Sequence, residues 1–496
     1  MAALTGLTVA SMVSGYLREM CLAAAFGAGA LADAYLSVMT TIRLVCDCGP
    51  SAILLASVIP VVSSLLDRPA RLRGHVLVVV LAVTLAVTCG MALALHFAMP
   101  ALLTVLAPGF DAATRDTGLT LAALTVWFMP LQSASVLFSL FLNAHGRFRA
   151  AAAAPLVSNG VFVVVLTLAG ERAADWLWIA TLLGPGLTTV LLGLKAWRMG
   201  LFCFAPCPET RQALRALWET ARPVLFSLGL AGSTGLVMIC HLLVRRHGSL
   251  VGEGGVSALA YAFRLYEVPV SMTANIAATL VLPSLSRLHA AGSDTRLTEI
   301  CRELAEWGLL LLVPVAAFTV LEASFLVDVL LAHGRFSAED ASRTAAALKR
   351  FAPAIVFESG IVVFYRVLYA VRRPKSALTV SLVIIGSLGG LLALLPAPEV
   401  THPALAFSAC FGLGMAVLAV ILFRLLGPQV LPFHRGGGAA ALLLLSACAA
   451  VCVLPAAPPL LAGLAFGLAY IAAFMAAMPR HRAALATLLF RRKASG

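Results

Sequence analysis

The sequence predicts an all-α integral membrane protein with about fourteen transmembrane helices. Of the 496 residues, 61% are hydrophobic and only 11% are charged, and the mean hydropathy is +0.99. Apolar runs of about 20 residues recur along the chain, long enough to cross a bilayer as helices. A soluble domain could not bury so much apolar surface. A β-barrel would instead show short segments of alternating polarity.

Apolar runs separated by polar breaks define the predicted spans. Their approximate limits are residues 4–26, 34–63, 76–106, 118–143, 151–170, 176–196, 220–244, 256–286, 304–332, 344–371, 376–396, 402–427, 438–456 and 459–478.

The basic residues predict the orientation of these spans. If the N-terminus is cytoplasmic, most Lys and Arg residues lie in cytoplasmic loops, for example Arg68, Arg71 and Arg73 after the second span. The opposite loops hold fewer arginines, and most of these lie near acids. Because Lys and Arg in short loops favour the cytoplasmic side, both termini are predicted to be cytoplasmic. The net charge of +13 therefore reflects topology rather than nucleic-acid binding.

The chain contains an internal repeat. Ala34-Tyr35 and Ala260-Tyr261 each begin an apolar run that ends in a proline, and Asn143–Arg147 matches Tyr369–Arg373. A further match joins the segments that begin at Gly109 and Arg335, and every offset is 223–226 residues. Spans 1–6 and 7–12 are therefore predicted to form two six-helix lobes with the same orientation, a parallel repeat typical of transporters.

The repeat and the loops predict four regions. They are an N-terminal lobe (1–200), a cytoplasmic linker (201–219), a C-terminal lobe (220–430), and spans 13 and 14 with a basic cytoplasmic tail (431–496).

Five charged residues interrupt the apolar hairpin of residues 14–60. They are Arg18, Glu19, Asp33, Arg43 and Asp47, with Asp33 expected in the loop between two spans. A charge near the bilayer centre costs about 2.5–3.5 kcal/mol on insertion scales, so such residues usually face a watery cavity or a partner. Several of them in one hairpin favour a functional cavity, although Arg18 and Glu19 could also form a purely structural pair.

The second half adds Arg264 and Glu267, one helical turn apart. Their spacing also fits an internal ion pair. Arginines from both halves predict an anionic substrate, because guanidinium groups make paired hydrogen bonds to phosphate and stay charged. The neighbouring acids are then expected to orient the arginines or to take part in ion coupling.

No catalytic residues and no cofactor are predicted. The chain lacks the GxxxxGK[ST], HExxH and GxSxG motifs, so the energy for transport is expected from the membrane potential or from the gradient of an unidentified ion. Most of the eleven cysteines lie in apolar runs, and the close pairs Cys46/Cys48 and Cys203/Cys207 lack companion metal ligands. No metal site is expected.

Several motifs together resemble the MurJ/MviN family of lipid II flippases, within the multidrug/oligosaccharidyl-lipid/polysaccharide exporter superfamily. The resemblance covers roughly residues 10–430. Its motifs are GYLREMCLAAAFGAGALADAY (15–35), LAPGF (106–110), NAHGRF (143–148), SALAYAFRLYEVP (257–269), LPSLSRL (282–288) and HGRF (333–336).

The resemblance implies fourteen helices, two lobes and a cation-lined cavity. It also implies export of lipid II, the undecaprenyl-diphosphate-linked peptidoglycan precursor, from the inner to the outer leaflet of the bacterial plasma membrane by alternating access. Arg18, Asp33 and Arg264 match family positions. The basic residue of the family's span 2 falls on Cys46 here, one helical turn after Arg43. Spans 13 and 14 are similar to the family's extra helices, which are thought to hold the lipid tail.

Three other functions stay open at this point. They are a flippase for another polyprenyl-linked oligosaccharide (exopolysaccharide or O-antigen), a multidrug exporter, and a non-transporting scaffold for envelope enzymes. The expected partners are the lipid-linked glycan, membrane lipids and other cell-wall synthesis proteins, with no nucleic acid. The chain is expected to act as a monomer.

Overall fold

The computed structural model describes residues 2–231, 233–276, 294–395, 399–430 and residue 470. These residues form helices joined by short connections, with no strand among them. The chain divides into two compact units. The first unit comprises residues 1–261, 330–341 and 397–399, and the second comprises residues 262–329, 342–396 and 400–496.

The described residues before position 250 form ten helices. They are α1 (Ala2–Phe26), α2 (Ala30–Cys46), α3 (Ala52–Ser64), α4 (Ala70–Leu106), α5 (Ala112–Thr125), α6 (Phe128–Ala144), α7 (Phe148–Ala169), α8 (Ala173–Arg198), α9 (Thr210–Ala231) and α10 (Ser233–Ser249). A π-helical turn, Asp47–Ser51, joins α2 to α3, and a 3₁₀ turn, Gly170–Arg172, joins α7 to α8.

Six helices follow in the described part of the second half. They are α11 (Gly255–Ile276), α12 (Asp294–Leu321), α13 (Ala323–Leu330), α14 (Ala338–Ala370), α15 (Pro374–Leu394) and α16 (Thr401–Leu426).

The described residues contain 8 helical segments that are long and apolar enough to cross a membrane. They correspond to predicted spans 2, 3, 4, 5 with 6, 9, 10, 11 and 12. The multi-pass membrane class is thus confirmed, whereas the count of fourteen and the two-lobe arrangement stay predictions. Predicted span 13 and all of span 14 except Tyr470 lie outside the described residues.

One predicted boundary was wrong. Asp33 was expected in a loop, but α2 begins at Ala30, so Asp33 lies in its first turn. The hydrogen bonds that Asp33 makes to another helix start explain why an acid is placed there. The later part of the predicted cytoplasmic linker, residues 201–219, is helical, because α9 begins at Thr210. The amphipathic pattern of that segment, with Ala213 and Leu217 buried, favours a helix.

The internal repeat recurs in the helix boundaries. Helices α2, α5 and α7 begin at Ala30, Ala112 and Phe148, whereas α11, α14 and α15 begin at Gly255, Ala338 and Pro374. These starts are separated by 225 (255 minus 30), 226 (338 minus 112) and 226 (374 minus 148) residues. The predicted offset of 223–226 therefore describes a repeated helical pattern.

The first unit packs α7 between α1 and α8, and α6 against α8 and α3. A buried apolar cluster joins α3, α4 and α6 to the start of α9, with Val58, Val76, Leu137 and Phe141 at its centre. Helices α1, α2, α6, α7 and α8 then enclose the polar cavity described next.

Candidate anion-binding cavity

The first unit contains a polar cavity of about 290 Å³. Two arginines, one aspartate and several amide and hydroxyl side chains face it, although the helices around it are predominantly apolar. Its lining includes Arg18, Arg43, Asp47, Phe128, Gln132, Ser135, Ser139, Ser158, Asn159, Phe162, Thr181, Pro185 and Thr188.

Arg18 is held on two sides. Its Nη2 donates a hydrogen bond to the Tyr35 hydroxyl at 3.2 Å, and the Tyr35 hydroxyl lies 3.0 Å from Thr181 Oγ1. The Arg18 guanidinium carbon stands 4.6 Å from the ring centre of Phe162, a favourable cation–π distance. These contacts fix the guanidinium at the cavity wall.

Arg43 reaches the same cavity from α2. Its guanidinium carbon lies 5.7 Å from the ring centre of Phe128. Asp47, four residues later, also lines the cavity and begins the π-helical turn. Such turns are rare and occur often at functional sites. Both arginines thus stand beside a phenyl ring.

Amide and hydroxyl groups form the rest of the polar wall. Asn159 Nδ2 donates to Ser14 Oγ at 3.2 Å, and Ser14 in turn donates to the Ser11 carbonyl at 2.8 Å. Thr181 and Thr188 donate to carbonyls of their own helix at 2.8 and 2.9 Å. Asn159 also carries a side-chain oxygen, a group that can accept hydrogen bonds.

The cavity carries two fixed positive charges against the single carboxylate of Asp47. Guanidinium groups bind phosphate oxygens with paired hydrogen bonds, and a medium of low dielectric strengthens that attraction. Small-molecule pockets usually enclose about 300–1,000 Å³. At about 290 Å³, this cavity is suited to one anionic group of a larger substrate.

Asp33 lies outside the cavity lining and is buried, with 2% of its surface exposed. Its two carboxylate oxygens accept hydrogen bonds from the backbone N–H groups of Gly254 at 2.8 Å and Ser257 at 2.7 Å. Conversely, Glu253 Oε1 accepts from the Ala30 N–H at 3.1 Å. The starts of α2 and α11 therefore exchange carboxylate caps, an arrangement that favours both helix N-termini.

The other predicted site residues lie elsewhere. Glu19 is buried in α1 but is not part of the cavity lining. Arg264 Nη1 and Glu267 Oε2 form an ion pair at 2.6 Å in the second unit, with both side chains a little over one third exposed. The cavity thus brings together Arg18 and Arg43 alone among the six predicted residues.

Cys46, at the position of the family's basic residue, is fully buried. Its Sγ lies 3.7 Å from the hydroxyls of Ser51 and Ser133. Arg43, one turn earlier, supplies the positive charge on this side of the cavity.

Sequence reasoning missed Asp47, Gln132 and Asn159 as lining residues. Asp47 could have been found, because a residue four positions after Arg43 shares its helix face. Gln132 and Asn159 lie on separate helices, and only the packing of α6 and α7 brings them together.

The family profile described as "Lipid II flippase MurJ" matches residues 22–479. A relative from Rhizobium meliloti (strain 1021), named "Probable lipid II flippase MurJ", is 28% identical over 351 residues. The alignment covers 68% of this chain and 64% of the relative, so the chain spans just under two thirds of that relative's length.

Solved structures share the fold. A structure described as "Lipid II flippase MurJ, inward closed conformation" has a TM-score of 0.76 at 16% identity, covering 97% of this chain and 100% of that one. A multidrug resistance MATE family transporter in an inward-facing conformation has a TM-score of 0.66 at 14% identity, covering 86% and 98%. At such identities the structures establish the fold alone. The profile match, which extends over most of the sequence, shows that the chain belongs to the lipid II flippase MurJ family.

Proposed function

We propose that this protein is a flippase that moves lipid II from the inner to the outer leaflet of the bacterial plasma membrane by alternating access. The observation that carries the proposal is the cavity in which Arg18 and Arg43 meet inside predominantly apolar helices. Charged residues in such helices are costly and mark substrate pathways. Family membership names the anion that they would bind, the diphosphate of a polyprenyl-linked glycan.

Arg18 and Arg43 are proposed to bind the diphosphate, with the Phe162 and Phe128 rings supporting the guanidinium groups. Arg264 and Glu267 are proposed as contacts supplied by the second half, and Glu19 and Asp33 as acids that influence the site indirectly. The transporter acts as a monomer with both termini in the cytoplasm. It performs no covalent chemistry.

The membrane potential is the proposed drive, alone or with an ion gradient. An inside-negative potential contributes about 2.3 kcal/mol per charge per 100 mV. A diphosphate with roughly two charges, if it crosses uncompensated, would be driven outward by several kcal/mol. Flipping is therefore expected to slow when the potential is collapsed with an ionophore, and a rate indifferent to potential would exclude this drive.

A flippase for another polyprenyl-linked oligosaccharide is the second candidate, because the same arginines would hold the same diphosphate. Multidrug export is disfavoured despite the MATE-like fold. Two guanidinium groups in the cavity would repel the organic cations that such exporters carry.

The test is complementation of bacteria depleted of their own lipid II flippase. The intact chain is expected to restore growth and to lower the accumulated lipid II, whereas Arg18→Ala and Arg43→Ala fail at equal protein levels. Arg172→Ala, which removes an exposed arginine of the same unit, serves as the matched control and is expected to complement.

Three outcomes would contradict the proposal or a part of it. Lipid II that stays high in cells expressing the intact chain at normal levels would exclude lipid II flipping. Restored capsule or O-antigen synthesis in a mutant of the corresponding flippase, without rescue of lysis, would favour the second candidate. Full activity of both arginine variants would remove the cavity from the mechanism.

A further inference from the structure

The first unit has a second cavity, apolar and distinct from the arginine-lined one. It encloses about 410 Å³ between α3, α4 and α9. Its lining is almost entirely apolar, with Ile53, Leu54, Val58, Val80, Val83, Val87, Leu214, Leu217 and Trp218 as the main contributors. We term it the α9 groove.

The α9 groove opens on the outer, exposed surface of the helices. Val83 and Val87, on its α4 wall, are 55% and 50% exposed. Along α4 the lining runs from Val80 to Thr88, a length of about 12 Å at the usual rise of an α-helix. That length approaches the roughly 15 Å of half a hydrocarbon core. A narrow apolar slot of this length, open to lipid, fits an acyl chain.

The exposed face of α9 is basic beside this groove. Arg211, Arg215 and Arg222 are exposed, and their spacing places them on one face of the helix together with Trp218. Trp218 is 59% exposed and also lines the groove. Neither Arg211 nor Arg215 forms an ion pair with a residue that the structure describes.

Basic side chains over an apolar underside, with a tryptophan at the junction, are typical of helices that lie in the membrane interface. The loop before α9 is predicted to be cytoplasmic, and anionic lipids give the cytoplasmic leaflet a negative surface potential. Arginine also pairs well with phosphate oxygens. The position of the groove next to these arginines matches an apolar chain joined to an anionic headgroup.

We infer that α9 and its groove form a binding site for an anionic glycerophospholipid. One acyl chain occupies the slot between α3, α4 and α9, and Arg211 and Arg215 hold the headgroup phosphate. The site is separate from the substrate cavity and does not depend on the identity of the transported lipid.

The test uses Trp218 as a fluorophore in the full-length protein in lipid nanodiscs. The five other tryptophans, Trp127, Trp176, Trp178, Trp197 and Trp307, are replaced by Phe. Brominated phosphatidylglycerol is expected to reach half-maximal quenching at a mole fraction about 30-fold lower than brominated phosphatidylcholine, because the two arginines together contribute about 2 kcal/mol towards an anionic lipid. A protein that retains Trp176 alone, 45% exposed in α8, is expected to show equal quenching by both lipids.

Two variants locate the site. Arg211→Gln/Arg215→Gln is expected to abolish most of the preference for phosphatidylglycerol, and Val87→Phe, which fills the slot, to reduce quenching by both lipids. Arg147→Gln/Arg149→Gln removes the same charge from another exposed segment of the unit and is expected to change nothing. Native mass spectrometry of the protein with all six tryptophans checks retained phosphatidylglycerol independently.

Equal quenching of Trp218 by the two brominated lipids would overturn the proposal, because it would indicate only non-specific contact with the bulk lipid of the nanodisc. Displacement of the brominated lipid by undecaprenyl phosphate, but not by unlabelled phosphatidylglycerol, would also overturn it and assign the groove to a polyprenyl chain. Neither result would affect complementation by the intact chain.

Discussion

The two related halves use equivalent helix positions in different ways. Counted from the starts of α2 and α11, Arg43 and Asp47 correspond to Val268 and Met272. Counted from the starts of α5 and α14, Gln132 corresponds to Glu358. The side chains that make the first-half cavity charged and polar are therefore mostly apolar in the second half.

The second unit contains a buried aromatic cluster instead. Phe263, Tyr266, Phe351 and Phe407 lie with ring centres 4.9 to 5.9 Å apart. Glu358, also buried, accepts a hydrogen bond from the Tyr266 hydroxyl. The comparison teaches that a duplicated helical unit can keep its helix starts while one copy lines a polar cavity and the other packs an aromatic cluster.

The largest effect is expected from removing one ring of the aromatic cluster. Phe407→Ala should lower the free energy of unfolding by about 3–5 kcal/mol, because Phe407 is fully buried against the other three rings of the cluster and the ring of Phe411. Arg43→Ala, at the open cavity, should change it little. Thermal unfolding followed by fluorescence in detergent measures both, and equal losses would refute the division between packing and binding.

A smaller loss is expected from Asp33→Ala. The two hydrogen bonds to the carboxylate, from the Gly254 and Ser257 N–H groups, together should contribute about 3 kcal/mol. The corresponding residue of α11 is Ala258, so the carboxylate that caps α2 comes from Glu253 instead. Hydrogen exchange at Gly254 and Ser257 should accelerate. Asp33→Asn, which keeps one acceptor oxygen, should show an intermediate effect; unchanged exchange would contradict the assignment.

The repeat-related tyrosines sharpen the comparison further. Tyr35→Phe removes the hydroxyl between Arg18 and Thr181 and should slow flipping about fivefold, the effect of roughly 1 kcal/mol. Tyr261→Phe removes a hydrogen bond to the Gly27 carbonyl and should lower thermal stability instead. Flipping assays in proteoliposomes and unfolding scans test both. A stability loss in Tyr35→Phe without a transport effect would contradict the assignment of the Tyr35 hydroxyl to transport.

The smallest expected effect compares two equivalent helix caps. Asp111 accepts a hydrogen bond from the Thr114 N–H at 2.9 Å, and bonding with Thr114 holds the pKa of this exposed carboxyl below its usual value. Its stabilisation is therefore complete above about pH 4 and is lost as the pH falls through the lowered pKa. The corresponding cap of α14, the Ser337 hydroxyl, does not titrate.

Unfolding scans at neutral and acidic pH test this contrast. The Asp111→Ala difference from the unaltered protein should shrink in acid, whereas the Ser337→Ala difference should persist. A constant Asp111→Ala difference would show that the charge of the carboxylate is irrelevant to the cap.

The sequence was sufficient for the membrane class, for the repeat and for the two cavity arginines. Long apolar runs, and the costly charges within them, are local features of the sequence. They can therefore be identified without a structure. The role of Asp33 could not be predicted from the sequence, since its hydrogen-bond partners lie more than 200 positions away.

For Arg264, the sequence allowed two interpretations and could not decide between them. Its spacing to Glu267 allowed both a substrate contact and an internal ion pair, and the structure shows the ion pair. Whether Arg264 also contacts substrate stays a prediction. The convergence of Gln132 and Asn159 on the cavity depends on how α6 and α7 pack, which periodicity does not specify.

The exchanged caps predict what happens when the chain is cut between its two related halves. Asp33 completes the start of α11, and Glu253 completes the start of α2. Cutting the chain within residues 201–219 would give two fragments, each with a helix start deprived of its carboxylate. The intact polypeptide supplies both carboxylates, so each fragment alone is expected to be less stable than the same segment in the whole chain.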